Sequence, residues 1–346
     1  MKMNPLGRSG LMVSELCLGT MTFGRHTDEA EAHAQMDMAL EGGINFIDTA
    51  EMYPVNPIQK ETVGRSEEVL GTWFEKTKRR GDWVLATKIT GKGNMNVRDG
   101  APITGDLIPQ TVEASLKRLK TDYIDLYQLH WPNRGSYMFR QNWRYDPSGQ
   151  NRDATLQDMA DVLGALGREV EKGTIRHFGL SNETAWGTAM WLKLAEETGG
   201  PRVMSIQNEY SLLCRLADTD LAELMVNEEV GLLPFSPLAQ GLLTGKYQNG
   251  IPEGSRRVVN PDLGGRMTDR VLPAAQAYLD VARDFGVDPA QMALAWSARR
   301  PFVASSIFGA THLAQVKHAL GAADLTLSED LLAAIDTAHK AHPLPY

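Results

Sequence analysis

In "FIDTAEMYP" (46–54) a β-like run ends on Asp48, and five residues later Tyr53 stands beside a proline. Two further runs end on ionisable groups, "WVLATK" (83–88) on Lys88 and "DLYQLH" (125–130) on His130. A phenol with a pKa near ~10 is protonated at neutral pH and can act as a general acid. A nearby ammonium favours the phenolate, so Lys88 would lower the pKa of Tyr53 and ease proton donation, with Asp48 holding Lys88 as a paired charge. A neutral His130 would donate a hydrogen bond to a carbonyl oxygen and orient it. Such a set polarises a C=O and delivers a proton to oxygen. It holds no hydride, so a cofactor must supply one. Each member also has a structural reading: an Asp48–Lys88 pair inside the core, Tyr53 packed on Pro54, His130 a satisfied core histidine before "WP". The set of four, drawn from different strands, favours the chemical reading.

These groups can act together only if the fold gathers the strand ends. β-like runs recur at 15–20, 45–50, 83–88, 125–130, 177–182, 203–208, 231–237 and 305–310. Between them lie stretches with helical spacing. In 155–172, Leu156, Met159, Leu163, Leu166 and Val170 line one face, Thr155 is placed as the N-cap and Gly173 follows the end. In 28–41, Ala30, Ala34 and Met38 fall on one side. Helices are also expected over 272–286 and 289–299, with Pro289 near the start of the second. About eight such βα units predict a closed (β/α)₈ barrel, with an open doubly wound sheet as the alternative. "MNPLGRSGLMV" (3–13) reads as a β-hairpin that would plug the far end of the barrel. No linker or charge run divides residues 1–346, so a single barrel domain is expected. The unpatterned stretches 89–107, 131–154 and 238–271 all follow strands, which puts them on the catalytic face. That face would also receive the other polar strand ends, Ser181, Asn182, Gln207 and Asn208. Trp131, Tyr137, Phe139, Trp143 and Tyr145 could wall a substrate pocket there, or simply pack the loop.

The net charge of −8 argues against nucleic-acid binding. The two cysteines, Cys17 and Cys214, form no disulfide framework and read as core residues of a reducing compartment. The opening segment has no apolar run of signal-peptide length, and no run approaches the ~18 apolar residues of a membrane span, so a cytoplasmic protein is expected. H-E-x-x-H and C-x-x-C are absent, so no metal site is expected. G-x-G-x-x-G is absent too, and "QGLLTGKY" (240–247) is not a Walker loop. A dinucleotide would therefore be held by cations and backbone N–H groups after the late strands.

The chain resembles the aldo-keto reductases, and within them the Tas-like bacterial branch. The resemblance rests on "LCLGTMTFG" (16–24), "GINFIDTAEMY" (43–53), "LATK" (85–88), "SLKRLKTDYIDLYQLHWP" (115–132), "GTIRHFGLSNE" (173–183), "IQNEYSLL" (206–213), "FSPLAQGLLTGKY" (235–247) and "GATHLAQVKHAL" (309–320). It implies the (β/α)₈ fold and reduction of an aldehyde or ketone by NADP(H), with NAD(H) as a second dinucleotide the site would accept. Asp48, Tyr53, Lys88 and His130 match the family's tetrad, with Tyr53 the proton donor. Ser181, Asn182 and Gln207 match the residues that hold the nicotinamide carboxamide, and Phe235 the aromatic on which the ring stacks. Ser236, Pro237, Leu238, Gln240, Gly241, Leu242 and Lys246 match the segment that closes over the pyrophosphate. Gly309, Thr311, His312 and Gln315 fall at the adenosine end, where a helix N-terminus near Thr311 would add its dipole. Two features depart from the pattern. "PVNPIQKETVG" (54–64) intervenes after the tyrosine and alters the rim, and the adenosine segment has no arginine. The expected partner is a small carbonyl substrate, with no membrane partner; the oligomeric state is not legible. Two other readings stand beside the reductase. One is an NADP(H)-binding regulatory barrel with little turnover; the other is a hydrolase using Asp48 and Glu51 as paired acids, which leaves Lys88 and "SN" unexplained.

Overall fold

The parallel strands are buried along most of their length, as strands covered on two faces must be. The computed structural model describes residues 1–346. It opens with an antiparallel hairpin of β1 (Met3–Pro5) and β2 (Met12–Ser14). Eight parallel strands follow: β3 (Leu16–Gly19), β4 (Phe46–Asp48), β5 (Val84–Ile89), β6 (Ile124–Leu129), β7 (Ile175–Ser181), β8 (Val203–Gln207), β9 (Gly231–Leu232) and β10 (Ser306–Gly309). They pair in chain order, and β10 returns beside β3. The Leu232–Val303 and Phe235–Ile307 bridges then join the last two strands and close the (β/α)₈ barrel. β9 is shorter than the 231–237 run because Pro234 has no N–H to give; its carbonyl still accepts from Ile307 N at 2.8 Å.

The helices of the outer layer are α1 (Glu29–Glu41), α2 (Arg65–Thr77), α3 (Leu107–Leu119), α4 (Arg152–Lys172), α5 (Ala185–Thr198), α6 (Asp220–Glu228), α7 (Arg256–Val259), α8 (Val271–Asp284), α9 (Pro289–Ala298), α10 (Leu313–Leu320) and α11 (Glu329–Ala341). Two local expectations change. The cap of α4 is Asn151, whose side chain accepts from Ala154 N, while Thr155 lies inside the first turn and bonds back to Asn151 O. On α1 the buried face is Ala32, Gln35, Met36 and Ala39, and Ala30 is exposed. Alanine is small enough to sit on either face, so the alanine spacing did not discriminate. Gly173 ends α4 at φ 76°, a left-handed position that glycine takes without a Cβ penalty.

Inside the barrel the inward-facing residues change character along each strand. At the hairpin end Cys17, Phe46, Ala86, Leu126, Leu233 and Ile307 pack with Leu6 and Val13 of the hairpin, which seals that end. Two residues on, Phe46 gives way to Asp48, Ala86 to Lys88 and Leu126 to Gln128. This polar layer is buried beneath the opposite, open mouth. Both cysteines are buried. No helix is long and apolar enough to cross a membrane.

Candidate active site

Asp48 is the last residue of β4, and its carboxylate is the hub of the polar layer. Lys88 Nζ donates to Asp48 Oδ2 at 2.6 Å and to Thr49 O at 2.7 Å. Asp48 Oδ1 accepts from Gln128 Nε2 at 3.1 Å and Gln207 Nε2 at 2.9 Å, and Gln207 Nε2 also reaches Gln128 Oε1 at 3.1 Å. All four side chains are buried. A buried ion pair is held in its charged form by such extra donors. Burial works to lower the pKa of Lys88, but Asp48 and the Tyr53 phenol outweigh it, and the ammonium is held above its ordinary value. Two of its three N–H groups are used; the third is left for a group in the mouth.

Tyr53 is that group's neighbour. Its ring centroid lies 5.0 Å from Lys88 Nζ, and 5.9 Å from the His130 ring in an edge-on arrangement. Burial pushes the phenol up, and Lys88 pulls it part of the way back; the net direction is upward. This corrects the expectation of a lowered phenol: desolvation outweighs the ammonium. Burial, and then the charge of Lys88, hold His130 well below the ordinary histidine value, so its ring is neutral. Its Nδ1 is buried without a hydrogen-bond partner. Of the loop aromatics, Trp131 is nearest to His130, with centroids 5.0 Å apart, and Phe139 meets Trp131 edge-on at 6.0 Å. Trp143 stands 59% exposed with the Arg270 guanidinium 5.1 Å from its ring. Trp131, and not Trp143, lines the mouth beside His130.

The next two strands bring their polar ends to the same rim. Ser181 Oγ donates to Gln207 O at 2.8 Å, and Asn182 Nδ2 donates to His130 O at 3.0 Å and Ser181 Oγ at 3.1 Å. Asn182 Oδ1 is left as a buried acceptor with no donor. Half-buried Phe235 follows β9, with its N–H on Asn208 O at 3.0 Å. After it, Ser236, Ala239, Gln240 and Gly241 all take positive φ, so Pro237, Leu238 and Leu242 fold into a tight coil over the rim. An ideal Cβ on Gly241 would lie 2.9 Å from Lys246 Nζ, so glycine is what lets the lysine fold back here.

The residues expected at the adenosine end are arranged differently. α10 begins at Leu313 with His312 as its cap residue, and His312, Gln315 and Gly309 are exposed. Gln315 Oε1 accepts from Thr311 N at 2.8 Å, and the Glu31 carboxylate of α1 accepts from Leu313 N. The start of α10 therefore already carries an anion, unlike the open helix end expected.

Gln128, Arg256 and Glu209 were not singled out as site residues. Gln128 lies two residues before His130, so strand alternation alone would have placed it inside the barrel. Arg256, half-buried at the start of α7, pairs with no carboxylate; its one polar contact is Nη1 to Met21 Sδ at 4.0 Å. Burial lowers its pKa, while the Tyr247 and Tyr53 phenols act in the opposite sense. Glu51 is committed elsewhere, to Arg98 and to Thr90 N at 2.8 Å. With Asp48 and Glu51 each engaged by its own cation, the paired-acid hydrolase loses its free carboxylates. No cluster of metal-ligating side chains is present.

A parallel barrel with a buried Asp–Lys pair, a tyrosine and a neutral histidine at its open mouth can polarise a carbonyl group and hand a proton to its oxygen. Residues 15–340 match the aldo/keto reductase family, and the chain belongs to that family of oxidoreductases. It is 43% identical to "Protein tas" of Escherichia coli strain K12, over all of this chain and 99% of that protein. It is 32% identical to "Uncharacterized oxidoreductase YrpG" of Bacillus subtilis, over 94% of this chain and 92% of the relative. It is 33% identical to a "Probable voltage-gated potassium channel subunit beta" of Arabidopsis thaliana, again over 94% and 92%.

Proposed function

We propose that residues 1–346 form one cytoplasmic catalytic domain that reduces an aldehyde or ketone to an alcohol with NADPH. The observation that carries this reading is the Tyr53–Lys88–Asp48 chain at the mouth, with neutral His130 beside it. Unmatched polar groups around the rim fit a nicotinamide dinucleotide. Asn182 Oδ1 suits a carboxamide N–H, Phe235 offers an aromatic face, and Arg256 and Lys246 are cations without carboxylate partners for phosphates. Gln207 would complete the carboxamide cradle through its side-chain carbonyl, with the Ser181 hydroxyl beside it. Ser236, Pro237, Leu238, Gln240, Gly241 and Leu242 form the strap, and Gly309, Thr311, His312 and Gln315 lie at the adenosine end. When bound, NADPH supplies a hydride to the carbonyl carbon.

The chain's own residues do the rest. Tyr53 O–H donates to the substrate oxygen and passes its proton as negative charge grows there. Lys88 lowers the cost of the phenolate left behind, and Asp48, braced by Gln128 and Gln207, fixes the ammonium. His130 orients the carbonyl without competing as an acid, because it stays neutral.

The test is single-turnover oxidation of bound NADPH by a panel of aldehydes and ketones. Oxidation by at least one carbonyl, abolished in Tyr53→Phe, supports the reading; NADPH bound but inert to the whole panel defeats it. In that case the second reading gains, a regulatory NADP(H)-binding barrel, which the likeness to a potassium channel beta subunit favours.

A further inference from the structure

Glu209 lies two residues beyond β8, outside the proton-transfer chain, and is buried. Its Oε2 accepts from Arg140 Nη1 at 2.9 Å. Its Oε1 accepts from Arg266 Nε at 2.8 Å and from the Tyr346 hydroxyl at 3.2 Å. Arg140 belongs to the 131–154 loop and Arg266 to the 238–271 loop, so one carboxylate joins two long segments of the catalytic face. The segments also touch directly. Ideal Cβ atoms on Gly264 and Gly265 would lie 3.4 Å from the Arg140 guanidinium. On its other side the backbone of Glu209 bridges Phe235, the aromatic of the rim.

We infer that Glu209 is a positioning residue, a single latch that holds both loops together on the catalytic face. The physical basis is the charge count. Two guanidinium groups face one carboxylate, and Arg266, 1% exposed, has no other anion to answer its charge. Burial and then the charge of Arg266 hold Arg140 below the ordinary arginine value, against the pull of Glu209. Without the carboxylate, two like charges are left together in a desolvated place, and the loops carrying them can separate only by opening. The 238–271 loop begins with the Gln240–Lys246 coil and includes Arg256, so its opening would release the groups assigned to the phosphates. That last consequence rests on the NADPH reading; the latch itself does not.

The test uses the full chain with two readouts, chymotryptic cleavage within 131–154 and 238–271, and the NADPH dissociation rate. In Glu209→Gln, both segments should be cleaved about ten-fold faster or more, and NADPH should leave about ten-fold faster. Arg140→Met keeps the Glu209–Arg266 pair, so only 131–154 should loosen, with 238–271 within about two-fold of the parent. Adding Arg140→Met to Glu209→Gln should slow cleavage of 238–271 again, since it removes the like charge; a merely structural role would not produce that recovery. The inference is overturned if folded Glu209→Gln is cleaved at the parental rate. If that variant does not fold, Arg140→Met decides: loosening of both segments, or of neither, overturns it. A parent that fails to bind NADPH would defeat the reductase reading, and the cleavage readout would still decide the latch.

Discussion

Around Asp48 the polar atoms are enclosed and paired with one another, whereas from Gly309 to Gln315 they stand largely in solvent. The first region lies in the barrel, where strands from four different units set the donors and water is excluded. The second lies on a helix start and the turn before it, where the anion at Leu313 N comes from the protein itself. Proton chemistry needs a small set of groups held within fractions of an ångström, and only the barrel interior supplies that rigidity. Recognition of a phosphate tolerates solvent and long side chains. On the proposed reading, the difference implies that the proton-transfer end is sensitive to single atoms, and that the end assigned to the adenosine sets a modest, adjustable preference.

The largest effect should come from one oxygen atom. Tyr53→Phe should lower carbonyl reduction by on the order of 10²–10⁴-fold while NADPH still binds. Turnover within a few-fold of the parent would remove Tyr53 from the proton path. In the parent, the raised phenol stays protonated and the depressed His130 stays neutral from about pH 6 to about pH 9, so single-turnover rates should be flat there. A falling alkaline limb centred near neutrality would mean that Lys88 outweighs burial once cofactor is bound.

Lys88→Met leaves Asp48 as a buried carboxylate without its cation, which should cost about 3–5 kcal/mol of stability as well as most of the turnover. Urea unfolding and the reductase assay measure the two losses on the same preparation. Stability unchanged in that variant would show that Asp48 is not held as an ion inside the barrel.

Gln128→Leu takes one of the two amide donors from Asp48 Oδ1 and leaves Gln207 to hold it alone. A loss of about 1–3 kcal/mol is expected, with reduction weakened far less than in Tyr53→Phe. If turnover falls as far as in the tyrosine variant, the bracing of Asp48 matters as much as the proton donor itself.

The smallest effect belongs to the other end. NADPH should be preferred over NADH by a margin smaller than an arginine fork gives, because the segment 309–320 holds no arginine. Paired Kd titrations of NADPH and NADH check this. Glu31→Gln should widen the margin by withdrawing a carboxylate from the start of α10. A preference for NADH, or a margin untouched by Glu31→Gln, would break the contrast between the two ends.

Much of this was legible in the residue order. Alternation of β-like runs and helical spacing specifies parallel βα units, because parallel strands need a crossover between each pair; the choice of a closed barrel over an open sheet was made by β10 returning beside β3. The polar residue at each strand end then points to one rim, since strands of a barrel share their direction. Asp48, Lys88 and His130 stand out on that rule alone, and Tyr53 follows from its place beside Asp48. What tertiary structure decided was which partners satisfy them and which environment they feel. Gln128 and Gln207 reach Asp48 across 80 and 159 residues of chain, and Arg140 and Arg266 meet at Glu209 from separate loops. No local pattern encodes such pairings. The direction in which Tyr53 is shifted was likewise out of reach of the residue types, because it is a balance between desolvation and the charge of Lys88, and both are set by distances and burial that exist only once the barrel has closed.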